Sequence, residues 1–446
     1  MSRDGQRPSR REFLQHSAGA AGLTSLMSVH SLLGMGPYVS EQWNRTFERS
    51  PSQDSNGMVR TQDGNFVVAS FTEVGGLGVW LVKFRPDGTK LWERKIGAVD
   101  GVATEVPWDI AEAGDGSLYV ATDGDGWNVV KTTPEGEPVW IREWLPQWDD
   151  VVDWDSPLQI GGTDKGGCVV AGGIGRGSDR NDYDSMVAVT NYASGGDLKS
   201  QKAADIEHSD VQVLDITIAD GVYVASTPED HFRVDRFTDG EIENQLNANL
   251  LDDNQGLRYT GGIYTDAARL SDGGYVVSVA GAGGTRFSPN GRVVWNTIID
   301  LGNRQNNTRG KSVTIGRNGR IATVGKLRDS ATRPGWIVVM DLADGSVETV
   351  HRFQDTDGGD AYRKAQHVVP TEDGFAVSGL QGRDWGTNTS LWVGSVDIEQ
   401  DNTPDLLQTV LGVGAVGAGG WAVKRWRADE KGEDDGSSSG WHDRIS

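Results

Sequence analysis

Tryptophans and carboxylates lie close together in one short segment of the chain. Three tryptophans and four aspartates occupy the twelve residues 144–155. Aromatic rings can stack on the apolar face of a sugar, and carboxylates accept hydrogen bonds from its hydroxyl groups. The predicted ligand-binding residues are Trp144, Trp148, Asp149, Asp150, Asp153 and Trp154. In the alternative interpretation, the tryptophans fill an interface between structural repeats and the aspartates belong to a generally acidic surface.

Two further segments have the alternating acidic spacing that suits calcium. The first contains Asp355, Asp357 and Asp360, and the second contains Asp179, Asp182 and Asp184. Calcium prefers several oxygen ligands, but neither segment completes a known calcium loop. With 45 aspartates in the chain, chance clusters are the competing explanation.

No motif of a known catalytic site occurs in residues 41–397. The segment has no nucleophile elbow, phosphate-binding loop or zinc motif, and no motif surrounds the histidines at 208, 231, 351 and 367. Cys168 is the only cysteine, which excludes an intramolecular disulfide. The sequence therefore predicts no catalytic residue.

The charge of the chain disfavours nucleic acid as a partner. Lysine and arginine total 42 and aspartate and glutamate total 64, which gives a net charge of −22. Nucleic-acid binding depends largely on cations that neutralise phosphates. Aspartate outnumbers glutamate by 45 to 19, and only 12 of the basic residues are lysine. This bias resembles the surfaces of haloarchaeal and other halophilic proteins; an ordinary acidic secreted protein is the alternative.

The amino terminus resembles a twin-arginine export signal. Ser9 precedes Arg10 and Arg11, Phe13 and Leu14 follow, and a mildly apolar stretch continues to about residue 36. We therefore assign residues 1–36 to a signal segment rather than to the fold. A chance arginine pair before a short helix is the alternative.

The carboxyl-terminal region predicts a membrane anchor. Residues 406–423 carry no charge, and a basic cluster follows at 424–427. Eighteen helical residues span about 27 Å, which approaches the thickness of the hydrocarbon core. This predicts a linker at 398–405, a transmembrane helix at 406–423 and an acidic cytoplasmic tail at 424–446, with the preceding domain outside the cell. The glycines of the span leave a buried segment or a flexible tail as the alternative.

Between the two ends, one pattern recurs seven times. A turn with glycine precedes a β-branched run, and the seven runs end at residues 69, 121, 171, 225, 278, 324 and 378. The mean spacing of about 51 residues is typical of a β-propeller blade of four strands. A second run and a further turn follow, and in three repeats a tryptophan stands four residues after the turn glycine, at Trp92, Trp140 and Trp295. We expect these rings to cover the neighbouring blade.

The seventh repeat lacks its outer strand, and residues 41–48 resemble the strand around Trp92. We therefore predict an all-β, seven-bladed propeller over residues 41–397 in which the amino-terminal strand completes the last blade. Such closure removes the exposed sheet edges of an open repeat.

The repeated phrase, with its D-G turns, V-V-A runs and G-x-x-x-W spacing, resembles exported bacterial and archaeal propellers of the quinoprotein alcohol dehydrogenase-like superfamily. The resemblance covers about 80% of the chain. It implies the fold, but seven repeats and a single cysteine depart from the usual pyrroloquinoline quinone enzymes. We expect a non-catalytic binding or scaffolding module at the cell surface that needs no cofactor and meets a carbohydrate or a surface protein. The alternative is a dehydrogenase of alcohols or sugars that holds pyrroloquinoline quinone, with Ca²⁺ as a second possible cofactor.

Overall fold

A computed structural model of the chain describes the residues between 37 and 399 with internal gaps. The described ranges are 37–47, 55–73, 76–99, 101–123, 127–144, 151–154, 158–179, 182–206, 211–228, 231–249, 265–278, 281–299, 301, 308–327, 334–353, 362–382 and 389–399. The predicted signal segment, transmembrane helix and cytoplasmic tail lie outside them. Of the predicted linker, Ile398 and Glu399 instead belong to the last strand of the propeller, and the remainder lies outside the described ranges.

Seven antiparallel sheets form the blades of a β-propeller, which confirms the predicted fold. We name the four strands of a blade a to d, from the innermost to the outermost. The chain begins with β1 (Tyr38–Phe47), and the first two blades contain β2 (Ser55–Arg60), β3 (Phe66–Thr72), β4 (Gly78–Phe84) and β5 (Lys90–Ile96), then β8 (Pro107–Glu112), β9 (Leu118–Thr122), β10 (Asn128–Thr132) and β11 (Pro138–Glu143). Between these blades lies a small hairpin of β6 (Ala98–Val99) and β7 (Val102–Ala103).

The third blade departs from the four-stranded plan. Two short strands, β12 (Val151–Trp154) and β13 (Gln159–Gly162), both pair with β14 (Cys168–Asp179), and β15 (Asp182–Tyr192) and β16 (Leu198–Ile206) complete the sheet. The extra strand β12 comes from the tryptophan-rich segment that interrupts the repeat. Its pairing with the far end of β14 is possible because that strand is twelve residues long.

The fourth to sixth blades return to four strands. They contain β17 (Val211–Ile218), β18 (Val222–Pro228), β19 (His231–Phe237) and β20 (Ile242–Asn249); β21 (Asp266–Arg269), β22 (Tyr275–Ser278), β23 (Ala282–Phe287) and β24 (Val293–Ile299); and β25 (Thr308–Ile315), β26 (Arg320–Leu327), β27 (Gly335–Asp341) and β28 (Val347–Phe353). A short 3₁₀ segment at Arg317–Gly319 joins β25 to β26.

The two ends of the propeller sequence meet in the seventh blade. Its first three strands are β29 (Tyr362–Pro370), β30 (Gly374–Gly382) and β31 (Thr389–Glu399), and β1 is the outer strand. β1 pairs antiparallel with β31 from Tyr38 opposite Glu399 to Phe47 opposite Leu391. The predicted closure by the amino-terminal strand is therefore confirmed.

The middle strands b and c are buried on both faces because each blade is packed between two others. Every residue of β4, β9 and β10 is buried. This explains why these strands are nearly continuous hydrophobic runs rather than alternating ones. The outer strand β5 instead keeps exposed residues, since one edge of each blade faces solvent.

A tight turn joins strands a and b of each blade, and in the first six blades another joins strands c and d, so both kinds of turn lie on the same face of the propeller. We call it the tight-turn face. Glycines with positive φ occur in the a–b turns, with φ of 80° at Gly64 and 79° at Gly116.

The described ranges contain no helix with the length and apolar character needed to cross a membrane.

Candidate functional site

Four outer strands carry a tryptophan that packs on the next blade. Each ring lies against a glycine of the next c–d turn, in the pairs Trp43 with Gly88, Trp92 with Gly136, Trp140 with Gly196, and Trp295 with Gly345. A Cβ atom on Gly88 would lie 2.6 Å from the ring of Trp43, and φ is 80° at this glycine. A larger residue would therefore clash and strain the backbone. This confirms the predicted role of the G-x-x-x-W tryptophans.

Three of these indoles also donate a hydrogen bond across the interface. The acceptor is a main-chain carbonyl of the same turn, at 2.6 Å from Trp43 Nε1 to Pro86, 3.0 Å from Trp140 Nε1 to Ser194, and 2.9 Å from Trp295 Nε1 to Leu342. The packing thus buries a large ring while its polar atom keeps a partner. We call this arrangement the indole contact.

The indole contact is the end of a row of side chains that crosses strands b, c and d. In the second blade the row is Tyr119, Lys131 and Trp140, which lie opposite one another in the sheet register. The rings of Tyr119 and Trp140 have centroids 5.8 Å apart. Lys131 Nζ lies 3.6 Å from the Asp115 carboxylate and donates to the Ser194 carbonyl of the third blade at 3.0 Å. One row therefore seals the interface between the second and third blades.

The cation in the middle of the row recurs in other blades. It pairs with an aspartate of the a–b turn at 2.8 Å between Lys83 and Asp63, 2.9 Å between Arg236 and Asp220, and 2.9 Å between Arg286 and Asp272. The aspartate of the D-G turn therefore links the a–b turn to strand c, and the glycine provides the conformation of the turn.

The third blade has only small residues in this row. Val169, Asn191 and Ser200 lie opposite one another, where the second blade has tyrosine, lysine and tryptophan. On the fourth blade, a Cβ atom on the turn glycine Gly240 would meet no atom within 4 Å. The interface between the third and fourth blades therefore lacks the indole contact.

A cleft of about 330 Å³ occupies this position on the tight-turn face. Its floor includes Val169, Val189 and Phe237, all of which are buried. Its rim includes Ser200 and Asp239, both exposed. The volume lies at the lower end of the range for small-molecule sites, and an apolar floor under a polar rim is their usual composition. We call it the 3–4 cleft, and it is our candidate functional site.

Lys202 partly replaces the missing indole. It lies two residues beyond Ser200 on β16, and its Nζ donates to the Thr238 carbonyl in the c–d turn of the fourth blade. This carbonyl is the counterpart of the acceptors at Ser194 and Pro86. A lysine stem is thinner than an indole, so the interblade hydrogen bond is kept while the cleft stays open.

Charges of the fourth blade border the cleft. The Asp220 carboxylate accepts a hydrogen bond from the Tyr223 hydroxyl at 2.8 Å and pairs with Arg236 at 2.9 Å. The hydrogen bond and the nearby guanidinium lower the pKa of Asp220, so the carboxylate is ionised at neutral pH and forms an ion pair with Arg236.

The structure places one of the sequence-predicted binding residues in the core. Trp144 is fully buried, its Nε1 donates to Thr190 Oγ1 at 2.7 Å, and its ring stacks on Trp127 with centroids 5.5 Å apart. Trp148, Asp149 and Asp150 lie outside the described residues, and so do the side chains of Asp153 and Trp154 on β12. Trp144 therefore contributes to packing between strands rather than to an exposed surface.

The predicted calcium residues Asp355, Asp357 and Asp360 also lie outside the described part of the chain, as do Arg10, Arg11, Phe13 and Leu14 of the export signal. Within the described ranges, no group of three histidine, cysteine, aspartate or glutamate side chains is arranged to hold a metal ion.

Cys168 and His351, which the sequence analysis considered, both lie among structural contacts. Cys168 is buried in β14, and burial raises the pKa of its thiol. His351 on β28 lies 2.8 Å from the Glu41 carboxylate on β1 and so joins the outer strands of the sixth and seventh blades. Burial opposes ionisation of Glu41, but the contacts with His351 and Arg363 leave its pKa below the usual value.

Sequence reasoning missed a set of carboxylates on the innermost strands. Asp109 accepts hydrogen bonds from its neighbour Ile110 at 2.7 Å and from Ile160 of the third blade at 3.0 Å. Asp266 accepts a bond from Val313 of the sixth blade at 2.9 Å, so the same link joins the fifth and sixth blades. In the sequence, this role is indicated only by an aspartate on strand a of a blade. Single aspartates are common in so acidic a chain, so this indication is weak.

Burial raises the pKa of these inner carboxyl groups. The pKa of Asp109 is raised to about 7 and that of Asp215 to about 6, and that of Asp266 is well above its usual value. Desolvation is the main cause in each case, and backbone hydrogen bonds oppose it.

No protein-family model and no curated protein matches the chain. Among solved structures, it is similar to a protein of unknown function from Bacteroides caccae, with 12% identity, coverage of 69% of this chain and 100% of that chain, and a TM-score of 0.38. It is also similar to BBS1N in its complex with ARL6DN, with 11% identity, coverage of 81% and 97%, and a TM-score of 0.48. For YCF48 from Cyanidioschyzon merolae the identity is 11%, the coverage 79% and 98%, and the TM-score 0.44.

We predict that Trp140→Ala strongly destabilises the propeller. Trp140 is 5% exposed, and its replacement leaves a cavity at an interblade contact, so we expect a loss of about 3 kcal/mol in the free energy of unfolding. The neighbouring Val139 is 50% exposed and serves as the control, with an expected change for Val139→Ala within about 0.5 kcal/mol. Chemical denaturation of both variants measures the difference, and equal losses would contradict the role of the indole contact.

We also predict that Asp109→Asn changes the pH dependence of stability. Because the folded pKa is raised, the protonated carboxyl stabilises the fold below pH about 4, and this contribution is lost as the pH rises through about 7. The stability of the wild type relative to the variant should therefore fall between these pH values. Denaturation at a series of pH values measures it, with exposed Asp197→Asn as the control. A difference between wild type and Asp109→Asn that does not vary with pH would contradict the assignment.

Proposed function

We propose that this protein is a non-catalytic binding or scaffolding module and that it binds through the 3–4 cleft. One observation carries the proposal. The row of side chains that seals the interface between the second and third blades has small counterparts in the third blade, and a cavity with a buried apolar floor lies there.

The surroundings of the cleft suit binding because they are rigid. Its two walls belong to neighbouring blades, each of which is a hydrogen-bonded sheet, and Lys202 joins them across the interface. A site held by sheets loses little conformational entropy when a ligand binds. The rim offers the Thr238 carbonyl and the Asp220 carboxylate as acceptors, so a ligand with N–H or O–H donors fits it best.

We further propose that the module works at the outer surface of the cell membrane. The support comes from the sequence of residues 1–36, which resembles a twin-arginine signal, and from the uncharged stretch at 406–423 with its basic flank. In this proposal the propeller faces outward and meets a carbohydrate or a surface protein there.

Ligand screening with a blocking variant tests the binding proposal. Ser200→Trp restores an indole in the cleft, and Lys199→Trp adds a tryptophan at the exposed neighbouring position as the matched control. Thermal shifts are measured for the full chain with a panel of saccharides and short peptides. We expect at least one ligand to raise the Tm of the wild type and of Lys199→Trp but not that of Ser200→Trp.

Two results would overturn the binding proposal. One is a screen in which no ligand depends on the cleft. The other is turnover of alcohols or sugars by the chain supplied with pyrroloquinoline quinone, measured as dye reduction, because it would establish the dehydrogenase alternative.

The location is tested by fractionation. We expect the full chain to sediment with membranes and to be released only by detergent, since an apolar helix is not displaced by salt. Replacement of Arg10 and Arg11 by lysine should leave the protein inside the cell. Recovery of the intact chain in the soluble fraction would contradict the anchor, and unchanged export of the lysine variant would contradict the signal.

A further inference from the structure

We infer that the 3–4 cleft binds a tryptophan side chain presented by a partner protein. The inference rests on the proposed binding function and adds the chemistry of the occupant. The propeller itself supplies the template, because four other interblade contacts hold an indole against the same turn of the following blade.

The shape of the cleft follows from three differences between adjacent interfaces. The interface between the second and third blades contains Tyr119, Lys131 and Trp140, and the corresponding residues of the third blade are valine, asparagine and serine. All three are smaller, so the space of an indole and part of its surroundings is left between the blades.

The far wall of the cleft is preserved. At the second interface, Trp140 lies against Tyr192 of the third blade, with ring centroids 6.3 Å apart. Phe237 holds the corresponding place in the fourth blade, directly before the c–d turn, and it lines the cleft. An aromatic ring inserted beside Val169 would therefore meet another ring, and such pairs favour aromatic occupants over aliphatic ones.

A hydrogen-bond acceptor for the indole N–H is also present. The main-chain carbonyl of Thr238 stands where the carbonyls of Ser194 and Pro86 accept the Nε1–H of Trp140 and Trp43. Lys202 already donates to the Thr238 carbonyl, but a carbonyl oxygen has two lone pairs and accepts a second donor. A cation is favoured over the face of an aromatic ring and not at its positive edge, so the lysine ammonium would have to lie over the face of the bound indole.

The charges around the cleft favour a tryptophan on a neutral or basic segment. Near the cleft, Lys202 and Arg236 balance the charges of Asp220 and Asp239, but the whole chain has a net charge of −22. An acidic segment would be repelled during its approach, while a neutral N–H donor is complementary to the carbonyl and carboxylates of the rim. A volume of about 330 Å³ suits one large side chain rather than an extended chain of sugars.

The probe that tests this inference is N-acetyl-5-fluorotryptophanamide. Its fluorine resonance distinguishes it from the 16 tryptophans of the chain. We expect saturable binding of the probe to the full chain with a Kd on the order of 1 mM, as befits a single side chain. The 1-methylindole analogue, which lacks the N–H donor, should bind at least about threefold more weakly, because it cannot make the hydrogen bond to the Thr238 carbonyl.

Two variants change the number of interblade sites that can hold an indole, one by decreasing it and one by increasing it. Ser200→Trp places the chain's own indole in the cleft and should abolish probe binding, while the matched control Lys199→Trp should bind like the wild type. Trp295→Ser empties the corresponding place between the fifth and sixth blades and should bind two probes per chain. Should Trp295→Ser fail to fold, Trp92→Ser provides the second test, since it empties the corresponding place between the first and second blades and should likewise bind two probes per chain.

The outcomes separate this inference from the proposed function. Absence of probe binding to the wild type, or equal binding to Ser200→Trp, overturns the inference. If a different ligand of the screen still depends on Ser200, the proposed function stands and only the identity of the occupant is wrong. If neither the probe nor any ligand of the screen depends on Ser200, both fail.

Discussion

The structure depends on the contact between one blade and the next. A sheet of four short strands cannot bury both of its faces alone, so each blade is stable only because its neighbours cover it. The middle strands show this directly, since β4 and β10 are buried at every residue. The amino-terminal strand β1 gives the last blade the same protection, because it fills the outer position beside β31. The ring therefore has no blade that lacks a neighbour on either side.

The interblade contacts are of two kinds, and they lie at different radii. On the tight-turn face, indoles and cations of one blade reach the turns of the next, as Trp140 and Lys131 do at the Ser194 carbonyl. Near the axis, partly buried carboxylates such as Asp109 accept backbone N–H groups of the following blade. The outer contacts bury much apolar area. The inner ones satisfy backbone donors, but they hold a carboxyl group where ionisation is unfavourable, which makes them sensitive to pH.

The proposed binding site arises because the repeat is imperfect. A propeller in which every blade carried the full row would have closed interfaces, and a ligand would find only turns on the tight-turn face. In the third blade, the row shrinks to Val169, Asn191 and Ser200, and Lys202 maintains the link to the fourth blade. Local loss of a structural contact thus creates a cavity without opening the ring. The same blade has the additional strand β12, so it departs from the common plan at both of its ends.

The sequence by itself determined the fold. The seven β-branched runs lie in the seven b strands, and the likeness of residues 41–48 to the strand of Trp92 predicts the closure, because propeller strands are local in sequence and each turn has its own residues. It also predicted that Trp92, Trp140 and Trp295 would cover a neighbouring blade. The candidate site was not predicted. Its residues, Val169, Ser200 and Thr238, match no sequence motif. They line a cleft only because no large side chain fills the space beside them. Only the tertiary structure decided this, since a cleft depends on which side chains of two separate blades face each other across a space.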